Sequence, residues 1–105
     1  MRNIYGVKLG QNNYAPSILN ERDGECFVCG RGGDLARHEV FFGSNRERSK
    51  ELGLWINVCP ECHAEIHQKD KSLDRGIKEI AQMKAMDHYG WDKKEFRQHF
   101  GKNWL

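Results

Sequence analysis

Four cysteines in this sequence have the spacing of metal ligands. They form two Cys-x-x-Cys pairs, Cys26 with Cys29 and Cys59 with Cys62. Each pair forms a short turn that directs both thiolates at one ion, and four thiolates complete the tetrahedral coordination that zinc prefers. The sequence therefore predicts one structural Zn²⁺ held by all four cysteines.

Disulfide bonds or a redox role are the alternatives for these cysteines. Residues 1–8 contain no apolar stretch of the kind that directs export to an oxidising compartment. The chain also has no apolar run that approaches the length of a membrane span. We therefore expect a soluble, cytoplasmic protein without a membrane partner, and in such a protein zinc is favoured over disulfides.

Three histidines form a second set of candidate ligands. Cys59-Pro60 starts a predicted helix, because proline is well tolerated in a first helical turn. His63 and His67 then stand four residues apart on one face of that helix, with Cβ atoms about 5–6 Å apart, which suits two ligands of one ion. His38 lies upstream on a predicted strand and is the third candidate. The alternative is that the two helical histidines are surface residues of an amphipathic helix.

The composition limits the size of the domain that holds these ligands. The chain has 105 residues, of which 38% are hydrophobic, and its mean hydropathy is −0.82. This describes one domain with a small core, a class that commonly relies on a metal or on disulfides for stability. The formal net charge is only +2, so any nucleic-acid contact must come from local charge.

The elements between the ligands are two strands and a short helix. They are predicted over residues 35–42 (strand), 45–52 (helix) and 54–58 (strand). Ser44 and Glu47 have the Ser-x-x-Glu spacing of a capping box at the start of that helix. Gly53 stands where a left-handed residue would end it. The strands are rich in β-branched and aromatic residues, as strands usually are.

Two further helices are predicted in the C-terminal third. The first covers residues 73–88, is capped by Ser72, and has apolar residues at helical spacing. Its predicted buried residues are Leu73, Ile77, Ile80 and Ala81, with Met83 and Met86 extending the same side. The second covers residues 93–100 and begins with the capping box of Asp92 and Glu95. Trp91 and Phe96 would form the hydrophobic staple of that box.

These elements indicate an α+β fold in three parts. Residues 1–24 are predicted to be an irregular arm, in which Tyr5, Tyr14, Ile18 and Leu19 are the residues that could pack on the domain. Residues 25–70 contain all seven candidate ligands, and residues 71–105 are a helical extension packed on that part.

Several sequence segments together resemble one known family. They are Cys26-x-x-Cys29-Gly30, His38-Glu39-Val40-Phe41-Phe42-Gly43-Ser44-Asn45-Arg46, Gly53-Leu54-Trp55, Cys59-x-x-Cys62-His63, His67, and the ending Glu95-Phe96-Arg97-x-x-Phe100-Gly101-Lys-Asn-Trp-Leu105. Over residues 26–105 the chain is similar to the HNH, or ββα-metal, nucleases, and most of all to small HNH proteins of phages and prophages. The resemblance implies a ββα-metal finger over residues 25–70, stabilised by the four-cysteine zinc and followed by C-terminal helices.

The resemblance also implies an activity, the hydrolysis of DNA phosphodiester bonds beside one divalent cation. Mg²⁺, Mn²⁺, Ni²⁺ or Zn²⁺ would fill the catalytic site, with His38, His63 and His67 as ligands and Glu39 as the base. A second assignment makes Glu39 the ligand and His38 the base, because imidazole titrates nearer neutrality. Consecutive strand residues point to opposite faces, so both contribute only if the strand is distorted there.

The family has a central asparagine, and two residues here could correspond to it. Asn45 is preferred, because Ser44 could cap the helix and leave the Asn45 amide free. Asn57 is the competitor, and either residue could instead serve only to cap or turn the backbone. The catalytic set implied by the resemblance is therefore His38, Glu39, Asn45 and His63.

DNA is the expected partner, and five basic residues are the candidates for contacting its phosphates. They are Arg37, Arg46, Arg48, Lys50 and Lys69. Contacts of this kind fix the register of a protein on DNA and read no sequence. The alternative is a solvated helix face, since Glu47 and Glu51 alternate with these cations.

Three functions are consistent with the sequence. The first is a metal-dependent HNH endonuclease that nicks or cuts DNA, in the cytoplasm of the host cell if it is phage encoded. The second is a catalytically weak, zinc-stabilised module for DNA binding or packaging assembly, and the resemblance implies phage terminase or packaging proteins as its partners. The third, in which a histidine belongs to the structural zinc site, is disfavoured because four cysteines already complete a tetrahedron.

Overall fold

The computed structural model describes residues 1–105 and has the predicted α+β class. Two strands, β1 and β2, form its sheet, and four α-helices and two short 3-10 turns complete it. In chain order these are the 3-10 turn Gln11–Asn13, β1 (Ala36–Glu39), the 3-10 turn Gly43–Asn45, α1 (Arg46–Glu51), β2 (Trp55–Val58), α2 (Pro60–Ile66), α3 (Ser72–Tyr89) and α4 (Lys93–Phe100).

The sheet is a regular antiparallel pair. His38 lies opposite Ile56, and Glu39 lies opposite Trp55. Side chains therefore alternate between the two faces without a bulge. The face that carries His38 turns toward the interior, because His38 and Ile56 are both buried.

The first strand is shorter than the predicted range of residues 35–42. Beyond Glu39 the backbone of Phe41 pairs with a side chain, because its N–H donates to Ser49 Oγ at 3.1 Å. The Ser49 hydroxyl in turn donates to the Phe41 carbonyl oxygen at 2.6 Å. One buried hydroxyl thus satisfies both polar groups of a buried residue. The chain can therefore leave the sheet at this point without leaving the N–H or the carbonyl of Phe41 unpaired.

The start of α1 differs from the prediction. Ser44 lies inside the 3-10 turn that leads into α1, and the N-cap residue Asn45 makes no side-chain capping bond. The capping box predicted for Ser44 and Glu47 is therefore wrong. The 3-10 turn replaces it, since the N–H of Arg46 already bonds to the carbonyl oxygen of Gly43. Gly53 has φ +71°, which confirms the left-handed residue predicted after this helix.

The helix α2 begins at Pro60, as predicted, and its N-cap is a candidate zinc ligand. The sulfur of Cys59 accepts the N–H of Cys62 at 3.5 Å. Proline follows directly in the first turn, where its missing N–H costs no hydrogen bond. The local sequence therefore fixes both the helix start and the turn between the two cysteines.

The helix α3 differs from its prediction at two points. Ser72 begins the helix but does not cap it, because its hydroxyl donates to Asp70 Oδ1 at 2.6 Å. The sequence predicted Ile80 and Met83 on the buried side of the helix. Both are instead exposed (44% and 58%) and lie outside the core. The predicted burial of Ile77 and Ala81 is confirmed, and the buried side of the helix also includes Asp74, Gln82 and Ala85.

The helix α4 has the predicted start. Asp92 and Glu95 form the reciprocal capping box, in which each side chain accepts a bond from the other residue's N–H. The rings of Trp91 and Phe96 lie 6.3 Å apart beside it, as expected of a hydrophobic staple. The helix then brings Phe96 and Phe100 into the core against Phe41.

The N-terminal segment 1–24 is attached to the domain by backbone hydrogen bonds. The N–H of Ala15 donates to the carbonyl of Lys50, and that of Ile18 donates to the carbonyl of Gly53, both at 2.9 Å. A Cβ atom at Gly53 would lie 2.4 Å from the Pro16 carbonyl oxygen, so the close approach of this segment requires glycine. None of the helices in this fold has the length and apolar character needed to cross a bilayer.

Candidate metal centres

The four cysteines come together in one cluster. Their Sγ atoms all lie within 4.8 Å of one another, and none is paired in a disulfide. The Cys29 and Cys59 sulfurs are 3.7 Å apart. Sulfurs bound tetrahedrally to zinc at about 2.3 Å would be separated by about 3.8 Å, which agrees with this spacing. The cluster could therefore hold a metal ion such as zinc.

The electrostatics of the cluster also fit a cation. Burial opposes ionisation of Cys26, but backbone N–H groups directed at its sulfur outweigh this effect and lower its pKa to about 6. Burial and the neighbouring sulfurs raise the pKa of Cys62. Four thiols this close cannot all ionise unless a positive charge compensates them, and a bound divalent ion supplies that charge.

The three histidines form a second cluster, separate from the cysteines. His38 comes from β1, while His63 and His67 come from α2 and its C-terminal cap. The ligand nitrogens of the three imidazoles lie within 4.8 Å of one another, and no cysteine belongs to this group. Ring centroids are 5.4 Å apart from His38 to either helical histidine and 5.0 Å apart between the helical pair.

Desolvation favours the neutral, ligating form of two of these histidines, His38 and His67. Burial, followed by the neighbouring imidazoles of His63 and His67, lowers the pKa of His38 to about 4. Burial is also the main cause of the lowered pKa of His67. Nε2 of His38 is buried and has no hydrogen-bond partner. A buried polar atom without a partner is costly, and coordination of an ion would satisfy it.

The histidines line a cleft of about 210 Å³. The other lining residues are Arg37, Glu39, Phe42 and Arg46. The carboxylate of Glu39 lies 3.6 Å from Arg46 Nε and does not belong to the ligand group. The site therefore combines three imidazoles, one carboxylate and two guanidinium groups, a set that can bind a cation together with a phosphate.

Neither candidate for the central asparagine lines this cleft. Nδ2 of Asn45 donates to the Phe100 carbonyl oxygen at 2.9 Å, so its amide is not free. This bond ties the loop between β1 and α1 to the end of α4. Asn57 lies opposite Arg37 in the sheet, where its backbone N–H donates to Asn20 Oδ1 and its carbonyl oxygen accepts the N–H of Phe27.

The five basic residues predicted to contact DNA are dispersed. Only Arg37 and Arg46 line the histidine cleft. Arg48 donates to the carbonyl of His99 at the other side of α1. Lys50 lies over the Tyr14 ring, 5.0 Å from its centroid, and Lys69 is exposed after α2.

Sequence reasoning missed two residues beside the histidines. Asp74 is 7% exposed and pairs with Lys78 Nζ at 2.9 Å. That ammonium also lies 4.2 Å from the ring centroid of Phe42, which packs against His38 and His67. Asp74 stands three residues before Ile77 on the buried side of α3, and this placement is the only signal that could have identified it.

No family model, curated protein or solved structure matches this chain. The assignment of a function therefore depends on the geometry of the two clusters and on the chemistry of their residues.

Proposed function

We propose that this protein is a metal-dependent HNH-type endonuclease that hydrolyses DNA phosphodiester bonds. The observation that carries the proposal is the meeting of His38, His63 and His67 in one cleft, apart from the four-cysteine cluster. Three protein ligands leave coordination positions open, as catalytic metal sites do, whereas four thiolates close a structural site. The cysteine cluster therefore suits a structural ion, and the histidine cluster suits a catalytic one.

The order of elements also supports a ββα-metal arrangement. The strand β1 supplies His38, β2 returns beside it, and α2 follows directly with His63 and His67. The cysteine pairs lie at the base of this unit, where Cys59 caps α2 and Cys26 is buried next to it. A zinc ion in the cysteine cluster would hold α2 in place and thereby position the histidine pair.

Each residue of the cleft has a separate role in the proposed reaction. His38, His63 and His67 would hold the divalent cation, which supplies Lewis-acid stabilisation of charge on the phosphate and on the departing 3′ oxygen. Glu39 accepts the proton of the attacking water, and its ion pair with Arg46 holds the carboxylate in the cleft.

Arg37 and Arg46, which also line the cleft, bind the phosphate. Asn45 acts as a positioning residue through its bond to Phe100, and does not touch the reacting atoms. The products expected from the resemblance are 5′-phosphate and 3′-hydroxyl ends.

A second candidate function is a DNA-binding or packaging-assembly module with the same fold and little catalysis. The observation that favours it is the position of Glu39, which lies on the strand face opposite His38 and is neutralised by Arg46. A carboxylate is a weaker base than an imidazole, so Glu39 is less suited than a histidine to activating water.

Nicking of supercoiled plasmid in Mn²⁺ or Mg²⁺ tests the proposal. Wild type should nick, His63→Ala should not, and His88→Ala should behave as wild type, because His88 is an exposed histidine of α3. Absence of nicking with any of these metals, together with retained DNA binding, would favour the module.

A further inference from the structure

A larger cleft adjoins the histidine cleft and is formed by the N-terminal segment. It has a volume of about 660 Å³, within the range of about 300–1,000 Å³ in which small ligands usually bind. We call it the arm cleft, and its polar and aromatic lining residues are Lys8, Gln11, Asn12, Tyr14, Arg37 and Trp55. No carboxylate lines it, so its electrostatic character is cationic.

Aromatic rings hold the central cation of the arm cleft. The Arg37 guanidinium carbon lies 4.5 Å from the ring centroid of Tyr14 and 4.6 Å from that of Trp55. The two rings meet edge to face at 75°, so the guanidinium is held in the angle between them. Arg37 takes part in none of the ion pairs of the chain. Its donors are therefore oriented and available to a ligand.

Arg37 lines both clefts, so a ligand in one lies next to a ligand in the other. Arg37 and Lys50 already lie over the Tyr14 ring and Trp55 is buried, so the surface left for stacking is the face of the Arg37 guanidinium turned away from the rings. A guanidinium held in this way stacks on unpaired nucleobases, and Lys8 suits a neighbouring phosphate. The bases of a duplex are stacked on one another and cannot offer their faces to a protein ring. The chemistry of the arm cleft thus matches one unpaired nucleotide.

We propose that the arm cleft binds an unpaired nucleotide of DNA next to the scissile phosphate, so that single-stranded or locally unpaired DNA is the preferred substrate. The identity of the polymer rests on the proposed nuclease function. The N-terminal segment is then part of the substrate site, although it lies outside the residues that carry the family resemblance.

Binding of a labelled oligonucleotide tests this proposal without any cleavage. The zinc-loaded full chain, with no second metal added, is titrated into a short mixed-sequence single strand and into its blunt duplex, and fluorescence anisotropy is read. The single strand should bind more tightly. Tyr14→Ala should weaken that binding about tenfold, because the Arg37 guanidinium that stacks on the base loses a ring that orients it, whereas Tyr14→Phe should retain the binding.

A charge-matched pair of variants provides the control. Lys8→Ala removes a cation of the arm cleft, while Lys93→Ala removes an exposed one at the start of α4. Only the first should weaken single-strand binding. If Tyr14→Ala fails to fold, as judged by circular dichroism, the single-strand affinities of the two lysine variants decide whether the arm cleft binds DNA.

Three results would overturn the proposal: duplex binding at least as tight as single-strand binding, folded variants of the arm cleft that bind as wild type does, or no single-strand binding at all. Cleavage in Mn²⁺ is measured separately. Cleavage by wild type without a role for the arm cleft refutes this inference and leaves the nuclease intact. Single-strand binding through the arm cleft without cleavage refutes the nuclease but leaves the arm cleft as a binding site for an unpaired nucleotide.

Discussion

His38 and Glu39 are consecutive residues of β1 whose side chains lie on opposite faces of the sheet. His38 is 4% exposed and packs against the imidazoles of His63 and His67. Glu39 instead pairs with Arg46, and both of these side chains line the same cleft as the histidines. The regular alternation of the strand therefore places one residue among the ligands and leaves the other at the mouth of the cleft.

This separation predicts different consequences for the two residues. His38→Ala should weaken Mn²⁺ binding by more than the ~10–100-fold that loss of a supporting residue costs, because a ligand is removed. Glu39→Gln should keep the Mn²⁺ affinity and lower the single-turnover cleavage rate about 100-fold or more, because the base is removed. Calorimetric Mn²⁺ titration and quenched cleavage assays measure the two quantities. Equal losses of Mn²⁺ affinity in both variants would make Glu39 a ligand.

Removal of zinc should unfold the protein. Structural zinc in small domains contributes about 10–16 kcal/mol of apparent binding free energy, which is as large as the whole stability of most domains. A strong chelator should therefore abolish the helical circular dichroism, and one equivalent of Zn²⁺ should restore it under reducing conditions. A chelated protein that keeps its thermal midpoint would contradict a structural role for the four cysteines.

The local features of the fold were predictable from the sequence. The helix start at Cys59-Pro60 and the capping box of Asp92 and Glu95 depend on residues within one turn of each other, and both are present. The clustering of the four cysteines also follows from spacing, since each Cys-x-x-Cys turn can direct both sulfurs at one point.

The features that sequence reasoning missed depend on contacts between distant residues. The early end of β1 is due to Ser49, and the loss of a free Asn45 amide is due to Phe100, which lies 55 residues away. Ile80 is exposed, although Ile77 and Ala81 of the same predicted stripe are buried. No local pattern contains this information, because such contacts arise only when the elements pack.

The Ser49 hydroxyl should contribute measurably to stability. Ser49→Ala leaves the buried N–H and carbonyl of Phe41 without partners, which should lower the free energy of unfolding by about 1–3 kcal/mol. Urea denaturation at fixed, saturating zinc measures this change. Ser44→Ala is the control, because Ser44 is exposed, and its change should be within about 0.5 kcal/mol. Equal stability of the two variants would show that water replaces the Ser49 bonds.

Titration of His99 should make the stability depend on pH. Burial, with the nearby Arg48 charge, lowers the pKa of His99 below its ordinary value of 6.5. The unfolded chain therefore binds a proton at this residue more readily than the folded chain does. The free energy of unfolding should accordingly decrease as the pH falls through 6.5.

His99→Phe isolates this effect. The new ring can still stack on Trp91, which lies 4.2 Å from the imidazole centroid, but it cannot titrate. Zinc loss and the titration of other residues affect wild type and His99→Phe alike. The difference between their profiles of unfolding free energy against pH is therefore due to residue 99. Wild type should lose more stability than the variant between neutral and mildly acidic pH, and parallel profiles would contradict the prediction.

The proposed function requires three imidazoles to share one divalent cation, separate from a thiolate-bound zinc. A crystal structure of Mn²⁺-soaked protein, with anomalous data collected on both sides of the zinc absorption edge, tests it most directly. We expect an anomalous zinc peak among Cys26, Cys29, Cys59 and Cys62. We expect a manganese peak within bonding distance of His38, His63 and His67. A histidine nitrogen coordinated to the zinc, or manganese bound without the three histidines, would contradict it.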